Sequence, residues 1–340
     1  MAKLKVGIIG CGIEIGKPGA TGYGMAHRHV EGYKASPDVE LAALADLVPE
    51  RAKAFQAEHG GGRVYQDHRE MLRREKLDIV SICTWPDQHA RLVIDAAEAG
   101  VRAIHCEKPM ALTYGDALRE VRVCKERRVQ LTFGHQRRFG EGFIKARELL
   151  RSGAIGNLIR LEAQCGDLYD WGTHWFDTMA FYNDDAPVVW VLGQIELRGH
   201  HKVFGADVEG QGVSYFKYRN GVIGLLVTGF EANWGALNRL IGTDGVIEVA
   251  SANGGKIRWW GKGQAAWQDL TVGEDWRIQV KLGILDLIDA LKTGCEPEMS
   301  GRKALAATEL IFATWESSRR RGRVDLPLDI EDSPLVAMLG

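Results

Sequence analysis

No run of apolar residues in this 340-residue sequence is long enough to cross a membrane: the longest, Gly221 to Phe230, has ten residues against the roughly 20 that a spanning helix needs. Neither sign of charge is in excess. The 43 Lys and Arg residues oppose 45 Asp and Glu, a net charge of −2, which argues against a polybasic nucleic-acid binder. The 41 glycines and 9 prolines fall well short of the roughly 25–30% that marks low-complexity chains. With 45% apolar residues, a chain of this length buries about three-quarters of its unfolded surface, so disordered and collagen-like classes are excluded. The six cysteines (Cys11, Cys83, Cys106, Cys124, Cys165, Cys295) form no C-x-x-C pair. The opening residues carry no apolar segment followed by a small-residue cleavage site. Reduced, mostly buried thiols in a cytoplasmic protein are expected.

What is present is a change of grammar along the chain. Through residue 134, short apolar runs (Lys5–Ile9, Glu40–Ala45, Ile79–Cys83, Arg102–Cys106, Gln130–Phe133) alternate with amphipathic stretches of helical spacing (Ala26–Ala35, Pro49–His59, His89–Ala99, Tyr114–Arg127). That alternation predicts an α/β domain over 1–134 with a parallel sheet. Beyond it, a helix over Trp171–Tyr182 sits among strand-like runs at Leu158–Gln164, Val188–Leu197, Gly212–Tyr218, Val222–Thr228, Leu237–Ile241 and Val246–Val249. Asn220-Gly221 and Asp244-Gly245 are hairpin signals, and helices near Ile278–Leu291 and Arg302–Arg320 close the chain. Residues 135–340 therefore read as an α+β domain with a large, mainly antiparallel sheet.

The chemistry-bearing residues begin with Val6-Gly7-Ile8-Ile9-Gly10-Cys11-Gly12, a strand entering a Gly-x-Gly turn. Such a turn lets backbone approach a pyrophosphate and aims helix N–H groups at it. Position 15 is Ile15 rather than the third glycine; Glu14 to Tyr23 read as an inserted loop, and the helix resumes at Gly24. Asp46, 22 residues after Gly24, is placed to accept ribose hydroxyls of NAD and to repel the 2′-phosphate of NADP, although it can equally cap the following helix. Lys108 precedes Pro109 at a strand end, the edge where ligands of open α/β sheets bind. Asp170, His174 and Asp177 share one helix side if Asp170 lies in the first turn.

Thr84-Trp85-Pro86-Asp87-Gln88-His89, Glu107-Lys108-Pro109, Gly134-His135-Gln136-Arg137-Arg138-Phe139 and Asp170-Trp171-Gly172-Thr173-His174-Trp175-Phe176-Asp177 together resemble the Gfo/Idh/MocA oxidoreductases, in order and spacing over nearly the whole chain. The resemblance implies an N-terminal Rossmann dinucleotide-binding domain and a C-terminal substrate-binding and oligomerisation domain. It implies NAD as cofactor, with NADP not excluded, held by Gly10, Gly12, Ile13, Gly24, Asp46, Thr84, Trp85, Pro86, His89, Glu107 and Lys108. It also implies hydride transfer between nicotinamide and a secondary alcohol or carbonyl of a sugar or polyol. His174 is then the base, Lys108 stabilises the reacting oxygen, and Asp170 contacts substrate or His174.

Several readings stay open. His89 borders the nicotinamide ribose or simply starts a helix. Arg137 contacts substrate, or Arg137-Arg138 is a solvated charged pair. Trp171, Trp175 and Trp234 line a sugar site or fill core. His27 and His29 take structural roles. No metal is expected, because His174 and its neighbours, even with His200 and His201, supply too few ligands at a metal-binding spacing. A homodimer or homotetramer is expected, without nucleic-acid or membrane partners. Two other function classes use the same residues: a redox-neutral NAD-dependent sugar lyase or glycosidase, and a non-catalytic sugar or dinucleotide sensor.

Overall fold

The computed structural model describes residues 3–229 and 237–340; Trp234 lies outside the described residues. The alternating N-terminal pattern folds into six strands: β1 (Leu4–Ile9), β2 (Val39–Ala45), β3 (Arg63–Tyr65), β4 (Ile79–Ile82), β5 (Ala103–Cys106) and β6 (Gln130–Phe133). All pair in parallel, in the order β3-β2-β1-β4-β5-β6. Helices α1 (Met25–Lys34), α2 (Pro49–His59), α3 (His68–Glu75), α4 (Pro86–Glu98) and α5 (Tyr114–Arg127) link successive strands. The strand order reverses between β1 and β4, and the carboxyl ends of strands at such a switch point are where open α/β sheets bind ligands. The three-residue β3 and the helix α3 were not anticipated. Arg63–Tyr65 is too short to show a period of two, and His68–Glu75 is so charged that only Met71 and Leu72 are buried.

Side chains alternate across β1. Val6 packs with Tyr33, Val39, Ile79 and Ala103, and Ile8 with Val30, Leu44 and Phe55. Gly7 points the other way, where a Cβ would lie 2.4 Å from Leu77. The compact unit around this sheet comprises 1–112, 116–136 and also 277–304. The reason lies in helix α8 (Trp276–Thr293), whose Ile284, Leu287 and Ile288 are buried in the same cluster as Val6 and Tyr33. A Cβ on Gly32 of α1 would sit 2.8 Å from Ile284, so the two helices approach closely at that glycine.

The second unit is built on a nine-stranded sheet. Its centre is Leu158–Cys165, flanked on one side by Leu237–Gly242, Gly245–Val249, Lys256–Gly261 and Gln268–Thr271. On the other side lie Ile223–Thr228, Gln211–Tyr218, Val188–Glu196 and Val324–Asp325. Only the pairing of Leu158–Cys165 with Ile223–Thr228 is parallel among the described residues. The Asn220-Gly221 turn joins its hairpin with Gly221 at φ +93°, the left-handed region that glycine enters without strain. Helix α6 (Glu141–Arg151) was not anticipated; it turns Phe143 and Ala146 inward. Together with helix α7 (Gly172–Tyr182) and the helix Gly301–Arg320, it packs on Leu161, Phe216, Leu226 and Leu240, one face of the sheet. Among the described residues, no helix is long and apolar enough to cross a membrane.

Ile284→Ala leaves a void between α8 and α1 and is expected to cost about 2–5 kcal/mol. Urea unfolding followed by circular dichroism measures it, and a change near zero would mean that α8 does not close this core.

Candidate active site

The glycine turn takes its shape from steric necessity. Gly10 has φ +90°, and a Cβ there would lie 3.0 Å from the carbonyl of Cys83 at the end of β4. A Cβ on Gly12 would meet nothing within 4 Å, so backbone at this position is open to a ligand. Gly24, at φ +65°, starts α1, where a Cβ would press within 2.7 Å of Ile13 O and Glu14 Cα. It thus supplies the close helix-to-turn approach that Ile15 cannot. Between them, residues 14–23 are pinned by the Arg28–Glu14 ion pair and by Lys17, 3.1 Å from Glu14 and 3.3 Å from Glu58. No side chain caps the start of α1, and its first turn holds no acidic residue. Its dipole therefore favours an anion there, as a pyrophosphate requires.

Asp46 follows β2, half-buried. Its carboxylate accepts the Cys11 N–H at 2.8 Å and the Val48 N–H at 2.9 Å, which fixes both oxygens and leaves each with a further lone pair for a hydroxyl. These residues fit a dinucleotide.

Across the switch point, Trp85 is exposed and Pro86 opens α4. His89 is fully buried, its ring nitrogens 2.8 Å from Pro109 O and 3.1 Å from Thr84 O. Burial pushes its pKa down, against the pull of those two carbonyls. His89 therefore clamps the Thr84 loop to the Lys108–Pro109 turn, whose peptide bond is cis.

Beneath Lys108 lies a buried polar chain. Glu107 accepts from His29 Nε2 at 2.9 Å and, through its other oxygen, from the Lys108 N–H at 3.3 Å. Ser81 lies 2.8 Å from His29 Nδ1, and the Tyr33 hydroxyl donates to Ser81 at 3.3 Å. Burial alone would raise the Glu107 pKa; the hydrogen bond and charge of His29, with Lys108, outweigh it and hold the carboxyl below its usual range. A Cβ on Gly134 would fall 2.9 Å from the Glu107 carboxylate, so glycine there makes room for it.

The second unit carries the other expected residues. Arg137 and Arg138 are both buried, so they are no solvated pair. Arg138 donates to both oxygens of Asp177, at 2.9 and 3.0 Å, and to Asp185 at 2.7 Å. Asp177 thus belongs to a structural ion pair. The Arg137 guanidinium lies over the rings of Trp171 (5.4 Å) and Trp175 (4.7 Å) and donates to Ala252 O. Trp175 is fully buried in the core cluster. Asp170 lies in the turn before α7 rather than in its first turn, and His174 is the third residue of the helix. Both are buried.

Sequence reasoning missed Asp167 and Glu209, which shape that turn. Asp167 Oδ1 accepts the Asp170 and Trp171 N–H groups. The buried Glu209 accepts from Leu168 N–H (2.7 Å), Thr228 (3.0 Å) and Trp315 (3.1 Å). An acidic residue three before Asp170 was the available signal for the first; Glu209, 41 residues from the Leu168 it holds, offered none. Five cysteines are buried or half-buried and Cys295 is exposed. Burial raises the thiols of Cys11, Cys83, Cys106, Cys124 and Cys165, Cys124 to about 12, so none is a poised nucleophile. His200 and His201 are exposed, and among the described residues neither they nor His174 join a group of three potential metal ligands.

Residues 4–135 match the Gfo/Idh/MocA oxidoreductase family model for the NAD-binding Rossmann fold, and 160–326 match its C-terminal alpha/beta domain. D-apiose dehydrogenase of Paraburkholderia graminis is 26% identical over 98% of this chain and 92% of its own. Myo-inositol 2-dehydrogenase of Thermotoga maritima is 30% identical over 45% of this chain and 42% of its own. A levoglucosan dehydrogenase solved with NADH and levoglucosan superposes at a TM-score of 0.83 with 19% identity, covering 96% of this chain and all of that one; at that identity the likeness is one of fold.

Because Glu107 is held below its unfolded pKa, its ionised form adds stability above about pH 4.3, and that contribution is lost as pH falls through the folded value. Glu107→Gln is expected to cost roughly 1–3 kcal/mol at pH 7 and progressively less on acidification below about pH 4. Urea midpoints across that range report it; a pH-independent difference would contradict an ionised Glu107.

Proposed function

This chain belongs to the Gfo/Idh/MocA oxidoreductase family, and from that premise we propose that it is an NAD-dependent dehydrogenase or reductase acting on a secondary alcohol or carbonyl of a sugar or polyol. The bound nicotinamide would supply the hydride acceptor or donor. The chain's own residues do the rest. The backbone of Gly10, Gly12, Ile13 and Gly24, with the start of α1, binds the pyrophosphate, and Asp46 takes the ribose hydroxyls while its charge opposes a 2′-phosphate. Thr84, Trp85, Pro86 and His89 form the wall beside the nicotinamide ribose, with His89 acting from its buried clamp. Lys108 binds the reacting oxygen and stabilises the negative charge that grows on it. His174 takes the hydroxyl proton, because imidazole is the side chain whose ordinary pKa lies closest to neutrality. Asp170 orients His174 or a neighbouring hydroxyl. Arg137 and Trp171 offer a cation and a flat ring to a sugar.

The observation that carries this reading is the support of Lys108: a lysine at the carboxyl end of β5, its backbone tied to a buried carboxylate and its proline to a buried histidine. A solvated surface lysine has no need of such a foundation. The names of relatives, D-apiose and myo-inositol dehydrogenases, support a polyhydroxylated substrate. For the assembly, we propose a cytoplasmic homodimer or homotetramer. It is supported by the exposed apolar residues Leu192 and Tyr215, which face each other across paired strands of the sheet, and Val213, two residues before Tyr215; apolar patches of this kind mark interaction surfaces.

Nicotinamide absorbance with NAD+ and a panel of inositols, aldoses and anhydrosugars tests the activity: steady NADH formation with one class is expected. Consumption of a sugar without net NADH would favour a redox-neutral reaction instead. Lys108→Met is expected to lower kcat/KM by about 100- to 1,000-fold and to leave NAD+ affinity within a few fold. Near-normal turnover would remove Lys108 from the chemistry. Sedimentation velocity at micromolar protein should give a dimer or tetramer; a monomer would overturn the assembly.

A further inference from the structure

Two groups of three potential metal ligands occur among the described residues. One, His29, His105 and Glu107, is committed elsewhere: both His29 nitrogens and His105 Nδ1 already face Glu107, Ser81 and Thr132. The other lies beside the glycine turn. His27, in the first turn of α1, points Nδ1 at Nε2 of His59, the last residue of α2, across 2.7 Å. Glu58 Oε1 is 3.9 Å from the first nitrogen and 3.7 Å from the second.

From this geometry we propose that His27, His59 and Glu58 form a binding site for a divalent transition metal, with zinc the expected occupant and water as fourth ligand. Two imidazoles and one carboxylate are a donor set that zinc accepts, whereas magnesium and calcium prefer oxygen.

The tautomer of His27 is already arranged. His27 Nε2 can only donate to the carbonyl oxygen of Gly12, 3.0 Å away, so the neutral ring presents its Nδ1 lone pair to His59. A ligating histidine held through its other nitrogen by a backbone carbonyl is the usual outer-shell arrangement of metal sites. On binding, the metal replaces the proton shared by the two rings. That proton moves to His59 Nδ1, so the ring stays neutral while Nε2 takes the metal, and the nitrogens part by about 0.6 Å to reach tetrahedral spacing at metal–nitrogen distances of 2.0–2.1 Å.

Phe55 packs against both rings, with centroids at 4.8 and 4.5 Å, giving the site an apolar wall. The Glu58 side chain is 46% exposed, which provides an entry path. Lys17 engages Glu58 through its other oxygen, leaving Oε1 to the metal. Through Gly12, a filled site would fasten the turn proposed to hold the pyrophosphate to the adjoining ends of α1 and α2. The site itself does not depend on the catalytic reading.

Zinc titration of the chelator-stripped full-length protein, by calorimetry with a competing chelator, is expected to show one tight equivalent and a rise in Tm. His59→Ala should weaken binding by at least about 100-fold, and Glu58→Gln, an exposed change that leaves the core intact, by at least tenfold. Cys295→Ser, which removes the exposed thiol, should leave it unchanged. Cobalt at the site should give visible ligand-field bands without a thiolate charge-transfer band. Absence of a stoichiometric site, unchanged affinity in both His59→Ala and Glu58→Gln, or a thiolate band would overturn the assignment.

Discussion

A carboxylate sealed from water at the end of a parallel strand is costly unless partners hold its charge. In this protein the His29–Glu107 hydrogen bond meets that cost. Much of the N-terminal unit is arranged around it. Helix α1 brings His29 down onto the sheet, Ser81 on β4 and Tyr33 fix the far side of the imidazole, and Gly134 leaves space above the carboxylate. The return is rigidity at Lys108. Its N–H is tied to Glu107, and the following proline carbonyl faces the buried His89. A cation that must meet a developing oxyanion loses its advantage if it has to be reorganised at the moment of reaction.

The second unit solves a matching problem by similar means. His174 and Asp170 sit where strand gives way to helix, a place that loosens easily. Asp167 accepts the turn's own amides, Glu209 holds Leu168, Thr228 and Trp315 together, and the Arg138–Asp177–Asp185 cluster anchors the helix flank. In both units the side chain proposed to react is supported by buried charges that have partners. Removing one partner of such a group is far more damaging than replacing the whole cluster.

How much of this could be read from the residues depends on the range of the signal. Five of the six strands of the parallel sheet followed from local periodicity, and the Gly-x-Gly turn and Asp46 from spacing along the chain; Arg63–Tyr65 is too short to show a period. Gly24 was legible as the restart of the helix, and its clash with Glu14 and Ile13 shows why no other residue serves. Lys108, Asp170 and His174 were legible as candidates because neighbouring prolines, glycines and tryptophans give their segments a distinctive order. Arg138 was not: a guanidinium reads as surface until Asp177 and Asp185, 39 and 47 residues away, are brought to it. Nor was the pairing of His27 with His59, 32 residues apart, or the return of α8 to the first sheet. Contacts between distant segments leave no periodic trace, and charged residues are the ones whose default placement they reverse.

On the proposed reading, this chain moves a hydride between a secondary-alcohol carbon and NAD. The most direct test is isotope transfer. The protein would be incubated with NAD+ and a polyol deuterated at its secondary-alcohol carbons, and the reduced cofactor examined by proton NMR. Deuterium is expected at C4 of the nicotinamide on a single face, with turnover slowed relative to the unlabelled polyol. Substrate consumed while nicotinamide C4 carries no deuterium would contradict it.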